Sequence, residues 1–169
     1  MLKIAVKTLF TLTLLGMLSG CGFQLRGVTP IPDELRTLHL QGNERSAMYQ
    51  TVERTLKSSG VSLVDSAQQA PYTIELISDS LDRRSASLNT RAKVEEYELR
   101  ARLRYQILDS EGEVAIPETE LYTERTYDYD ENSVNAKEAE EALLRKEMRQ
   151  TLAGQLVRRY LSLAEQQSR

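Results

Sequence analysis

The chain has 169 residues, with 22 basic and 25 acidic side chains and a net charge of −3. It holds one Cys and one His, too few for an internal disulfide or for a Cys/His metal cage of about four ligands. The negative balance argues against a general nucleic-acid binder, and the length suits one ordinary domain with its own core.

Lys3 and Lys7 form a short basic start, and Leu9 to Leu18 is apolar apart from Thr11, Thr13 and Gly16. This run is too short to span a bilayer, which takes roughly 20 apolar residues. It fits the core of a signal peptide. The sequence then reads Leu18-Ser19-Gly20-Cys21, which resembles the bacterial lipobox: an aliphatic residue and two small ones ahead of a thiol to be alkylated. Residues 1–20 are therefore expected to be a lipoprotein signal peptide. Cys21 is expected to open the mature chain, carrying a diacylglycerol and an N-acyl chain. Several acyl chains give stable anchoring where one gives only marginal binding. Position 22 is Gly rather than an aspartate, a pattern similar to that of outer-membrane lipoproteins. Loss of Lys3 and Lys7 leaves 20 basic against 25 acidic residues, a balance of −5.

Residues 21–34 read as a lipid-anchored tether, with Gly22, Gly27, Pro30 and Pro32 and no periodicity. The folded domain is expected over 35–169. Leu35 to Leu40 alternates weakly and predicts a short strand. Ser46 to Ser59 predicts a helix: Ser46 is a good N-cap, Tyr49, Val52 and Leu56 repeat at helical spacing, and Gly60 suits the position after the last turn. Val61 to Val64 is a brief extended segment. Tyr72 to Ile77 predicts a strand that can continue to about Leu88. Val94 to Leu108 has the clearest pattern. Tyr97, Leu99, Ala101, Leu103, Tyr105 and Ile107 alternate with Glu96, Glu98, Arg100, Arg102, Arg104 and Gln106. Such alternation means one buried and one wet face. A turn at Asp109–Gly112 leads to a further strand, Leu121 to Tyr129. The last element is a long helix with Asn135 as cap and Glu138 closing a capping box. Its apolar stripe runs through Ala139, Leu143 or Leu144, Met148, Leu152, Leu156, Tyr160 and Leu163. The order β-α-β-β-β-α predicts an α+β fold. It is a two-layer sandwich, with two helices packed on one face of a four-stranded, largely antiparallel sheet.

No catalytic constellation emerges. His39 alternates with Leu38 and Leu40 and reads as a solvated strand residue. No Gly-x-Ser-x-Gly elbow or phosphate loop is present. The acidic pairs Glu95/Glu96, Asp128/Asp130 and Glu140/Glu141 read as surface charge rather than glycosidase carboxylates. Cations are more informative. Arg100, Arg102 and Arg104 share a face with Glu96 and Glu98 and read as an ordinary solvated surface. Arg83 and Arg84 lie in one strand or at its end. Arg91 and Lys93 lie near a strand turn, and Lys137 lies in the first turn of the last helix, where a cation opposes the helix dipole. Basic groups at strand tips can take phosphate or carboxylate groups of an anionic lipid head.

The run Cys21-Gly22-Phe23-Gln24-Leu25-Arg26-Gly27 resembles the start of the mature LptE (RlpB) lipoproteins. Weaker similarity follows at Gly60-Val61-Ser62-Leu63, at Glu96-Tyr97 and at Lys146-Glu147-Met148. The resemblance implies two helices on a four-stranded sheet and no enzymatic activity. It implies a plug inside the LptD barrel of the outer membrane, assisting that barrel's assembly and binding lipopolysaccharide for delivery to the cell surface. It further implies lipopolysaccharide contacts from Lys137 and from Arg91 or Lys93, between which the loop spacing does not decide. Two other readings compete: a scaffold of another envelope complex, such as a barrel-assembly accessory, and a lipid-anchored enzyme acting on glycans.

Overall fold

The computed structural model describes residues 31–163. The expected signal peptide, Cys21 and the expected tether as far as residue 30 lie outside the described residues. Within the last stretch read as tether, Ile31 packs on the core and Asp33–Leu35 forms a 3-10 turn.

The elements are β1 (Thr37–Gln41), α1 (Ala47–Ser58), β2 (Ser62–Val64), β3 (Tyr72–Leu88), β4 (Val94–Asp109), β5 (Val114–Asp128) and α2 (Val134–Leu161). The sheet has five strands rather than the expected four, in the order β2-β1-β3-β4-β5. It is mixed rather than largely antiparallel. β1 runs parallel to β2 and to β3, whereas β3, β4 and β5 form an antiparallel meander. The reason lies in the connections. α1 carries the chain between β1 and β2, and such a crossover joins parallel neighbours, whereas the tight turns after β3 and β4 join antiparallel ones.

α1 begins and ends as its sequence requires. Ser46 Oγ accepts a hydrogen bond from the Tyr49 N–H at 2.9 Å. At the other end Gly60 adopts φ +89°. The Val61 N–H reaches Leu56 O at 3.1 Å, and the Gly60 N–H reaches Lys57 O at 3.1 Å, closing a Schellman cap. β5 starts seven residues earlier than the expected Leu121, at Val114. It contains Pro117, which an edge strand tolerates because one side of its backbone needs no partner. The pairing with β4 slips near that point.

The cap of α2 is Ser133, not Asn135. Asp130 sets the preceding turn: its carbonyl accepts the Ser133 N–H, and its carboxylate accepts the Asn132 N–H. Lys137 therefore lies four residues past the cap, with its N–H on Ser133 O at 3.0 Å. The apolar stripe also begins later than expected. Met148, Leu152, Ala153, Leu156, Val157 and Tyr160 are buried and Leu144 packs beside them, but Ala139 and Leu143 are exposed.

One core joins both helices to the sheet. Leu38, Ile74, Leu99, Leu103, Tyr105, Ile107, Val52, Leu56, Leu152 and Leu156 are fully buried in it. Tyr160 closes its base, its hydroxyl donating to Leu35 O at 3.0 Å. His39 is half-buried rather than solvated, with Nδ1 3.0 Å from Val64 O, so it ties β1 to β2. No helix among the described residues is long and apolar enough to cross a membrane.

Two leucines of α2 test this division. Leu152→Ala should cost about 2–5 kcal/mol, because it empties a fully buried site, and Leu143→Ala should change stability by less than about 0.5 kcal/mol. Urea unfolding of the two variants measures both.

Candidate functional site

β3, β4 and β5 are long hairpin strands, and the turn between β3 and β4 forms one tip of the sheet. Asn89 organises it: its side-chain oxygen accepts the N–H groups of Arg91 (2.9 Å) and Lys93 (3.1 Å). Ala92 takes φ +59°, letting the turn close on an Asn89–Lys93 backbone bond of 2.8 Å. The connection from β5 to α2 lies alongside, joined where the Tyr129 N–H meets Glu95 O at 2.8 Å. Between them is a shallow hollow of ≈ 420 Å³ whose lining includes Arg91, Lys93, Glu95, Tyr129, Asp130 and Glu131.

Arg91 and Lys93 thus line the same hollow. Lys93 reaches across it to Glu131 at 2.6 Å. Lys137 borders the same connection. Its Nζ sits 2.8 Å from Glu140, and this hydrogen bond, helped by the charges of Asp128 and Asp130, raises its pKa above the ordinary lysine value. Asp130 is held below the usual carboxylate range by its bonds from Asn132, with Lys137 adding to the effect. The three cations therefore share one end of the domain, interleaved with carboxylates.

Behind Lys137 stands a second cluster that the sequence reading missed. Glu141, taken from the sequence as surface charge, has a side chain only 13% exposed. Its carboxylate accepts from Arg83 Nη1 of β3 (2.8 Å), from the Tyr127 hydroxyl of β5 and from Arg145 Nε (2.7 Å). Arg83 lies 4.5 Å above the Tyr97 ring, and Tyr97 packs on Tyr127 and Tyr129. Desolvation alone would raise the Glu141 pKa. The bonds from Tyr127, Arg145 and Arg83 outweigh it and hold the group below the usual carboxylate range. Burial, reinforced by the bond to Glu141, pushes the Tyr127 hydroxyl up to about 12. The sequence did carry a signal for this cluster: Glu141 falls on the stripe that Leu144 and Met148 continue.

The outer sheet face pairs its cations internally. Arg84 binds Glu98 through two bonds, Arg100 meets Glu124, Arg102 meets Asp82 and Arg104 meets Glu118. These cross-strand pairs match the reading of Arg100, Arg102 and Arg104 as a balanced surface. No group of metal-ligating residues occurs among the described residues.

The fold and its charged tip define a class: a small two-layer α+β domain with two helices on one face of a five-stranded mixed sheet. Known proteins narrow it. Residues 35–160 match the model of the LptE family, described as lipopolysaccharide-assembly. The LPS-assembly lipoprotein LptE of Pectobacterium atrosepticum is 36% identical over 165 residues, covering 92% of this chain and 86% of that protein. Its counterpart in Yersinia pestis is 31% identical over 152 residues, covering 86% of this chain and 70% of that protein. The crystal structure of rare lipoprotein B from Shewanella oneidensis superposes with a TM-score of 0.69 at 28% identity, covering 79% of this chain and 99% of that one. The solution structure of lipoprotein B from Nitrosomonas europaea has a TM-score of 0.74 at 23% identity, covering 85% and 93%, and shares the fold. The chain belongs to the LptE family. It is a lipopolysaccharide-assembly lipoprotein and not an enzyme.

The Glu141 cluster gives a pH signature. A group whose pKa is lowered by folding stabilises the native state above its unfolded pKa, and that contribution is lost as pH falls through the folded value. Stability should therefore drop below about pH 4.3, the ordinary Glu value. Glu141→Gln should be less stable at neutral pH and show a smaller drop. Thermal melts from pH 7 to pH 3 measure the difference.

Proposed function

We propose that this protein is an outer-membrane lipoprotein, anchored through acyl chains on Cys21, that binds lipopolysaccharide at the tip formed by Arg91, Lys93 and Lys137. In this reading it plugs the LptD barrel, helps it assemble and passes lipopolysaccharide towards the cell surface. One observation carries the binding site: Arg91 and Lys93 line one open hollow, and Lys137, in the first turn of α2, stands near enough to its wall for its charge to act on Asp130.

The chemistry follows from the strength of the contacts. Lys93–Glu131 is about half exposed on both sides, and such pairs contribute about 0–1 kcal/mol. A phosphate group of lipid A carries more charge than a carboxylate and offers more acceptor oxygens. It can take Lys93 from Glu131 and Lys137 from Glu140 at little cost. The released carboxylates re-pair when the ligand leaves, which suits a protein that must hand its cargo on.

The barrel contact is assigned to the outer sheet face. A barrel lumen is polar, and this face offers matched arginine–carboxylate pairs around Tyr122, which is 64% exposed. Tyr and Arg are the residue types most often found at binding hot spots. The family relationship favours this reading over a scaffold of another envelope complex.

Charge reversal tests the site. Lys137→Glu combined with Arg91→Glu should weaken lipopolysaccharide binding to the purified mature protein by about tenfold or more. Wild-type binding should weaken from 0.05 to 0.5 M salt as screening shortens. Unchanged binding on titration with labelled lipopolysaccharide would remove the site assignment and leave the plug role standing.

A further inference from the structure

We propose that Glu141 is a positioning residue for this site: its carboxylate fastens the first turns of α2 to the sheet and so determines where Lys137 stands. The proposal rests on the reading of Lys137 as a lipopolysaccharide contact.

The face of α2 that meets the sheet changes character along its length. Counting back along the stripe from Tyr160 gives Leu156, Leu152 and Met148, all buried, then Leu144 and Arg145. One further turn gives Glu141, and one more gives Lys137. The stripe thus changes from apolar to charged while the helix continues. Over its first ten residues no apolar side chain is buried: Val134 is 40% exposed, Leu143 is 55% exposed and Ala139 is also exposed. A helical segment without apolar contacts frays, because short helices are marginal in water and local opening there costs little. Something else must hold these turns.

Glu141 does so. It draws one donor from β3 (Arg83), one from β5 (Tyr127) and one from its own helix (Arg145). Arg145 adds a bond to Leu81 O of β3 at 3.2 Å. β4 supports the cluster through Tyr97, beneath the Arg83 guanidinium. A single carboxylate thereby gathers all three strands of the meander under the helix. Its two oxygens are committed to these donors and leave little capacity for a ligand. Lys137 lies one helical turn upstream on the same face, so the placement of Glu141 is passed to Lys137 through rigid backbone.

A double-mutant cycle with purified lipopolysaccharide and the full mature lipoprotein in detergent separates positioning from general stability. Glu141→Ala should weaken binding about fivefold, with faster amide exchange confined to residues 134–141. In a Lys137→Ala background it should weaken binding no further, because the group it positions is gone. Glu141→Gln, which keeps an acceptor oxygen, should recover part of the loss. Where Glu141→Ala does not fold, Tyr127→Phe removes one donor and should give a smaller change in the same direction. Unaltered exchange at residues 134–141, faster exchange with unaltered binding, or an equal loss in the Lys137→Ala background would each overturn the proposal. Wild-type binding by Lys137→Ala itself, with residues 134–141 still opened by Glu141→Ala, would instead count against Lys137 as a ligand contact.

Discussion

The alternation of β4 is the constraint on which the domain is built. Leu99, Ala101, Leu103, Tyr105 and Ile107 have no measurable exposure, while Arg100, Arg102 and Arg104 stand between them on the opposite face. Slipping this strand by one residue would turn three guanidinium groups into the core. The register is therefore fixed on both sides, and β3, β5 and α2 take their places from it. The same alternation accounts for the outer face. Once the arginines point outward in a row, the flanking strands meet them with carboxylates at positions opposite or diagonal, the usual currency of cross-strand stabilisation.

The proposed binding site lies where this apolar layer stops. The meander strands extend roughly 50 Å, further than the core that covers them. Towards the β3–β4 turn the inward positions become Tyr97, Tyr127 and Arg83, and the facing helix offers Glu141 and Lys137 instead of leucine. Burial alone no longer determines which groups sit where, so charge pairs and rings take over. Contacts of that kind are directional and can be exchanged at the rim, where Lys93 and Lys137 hold exposed carboxylates. They are far less exchangeable one turn inward, where the Glu141 side chain is 13% exposed. The tip thus combines a firm support with a replaceable surface layer.

Much of this was legible in the residues. The period of β4, the Ser46 and Gly60 ends of α1 and the Met148–Leu156 stripe each state their own structure locally. What was not legible depends on distant partners. Ser62–Val64 is too short to show a period, and its place beside β1 follows from the crossover made by α1. Pro117 is acceptable only because β5 is an edge, which no single strand announces. Asn135 has the form of a cap, yet the turn set by Asp130 starts α2 at Val134. Arg91, Lys93 and Lys137 were visible as candidates, but the carboxylates that pair with Lys93 and Lys137 were not. Glu141 looked like surface charge because its donors Arg83 and Tyr127 lie 58 and 14 residues away in sequence.

The assignment of ligand contact to one end of the domain can be measured directly. A photo-crosslinking amino acid placed at position 91, 93 or 137 of the lipoprotein in living cells should form adducts with lipopolysaccharide on irradiation. The same group at position 110, in the β4–β5 turn at the far end of the sheet, should form none. Adducts at 110 with none at the other three positions would contradict the account.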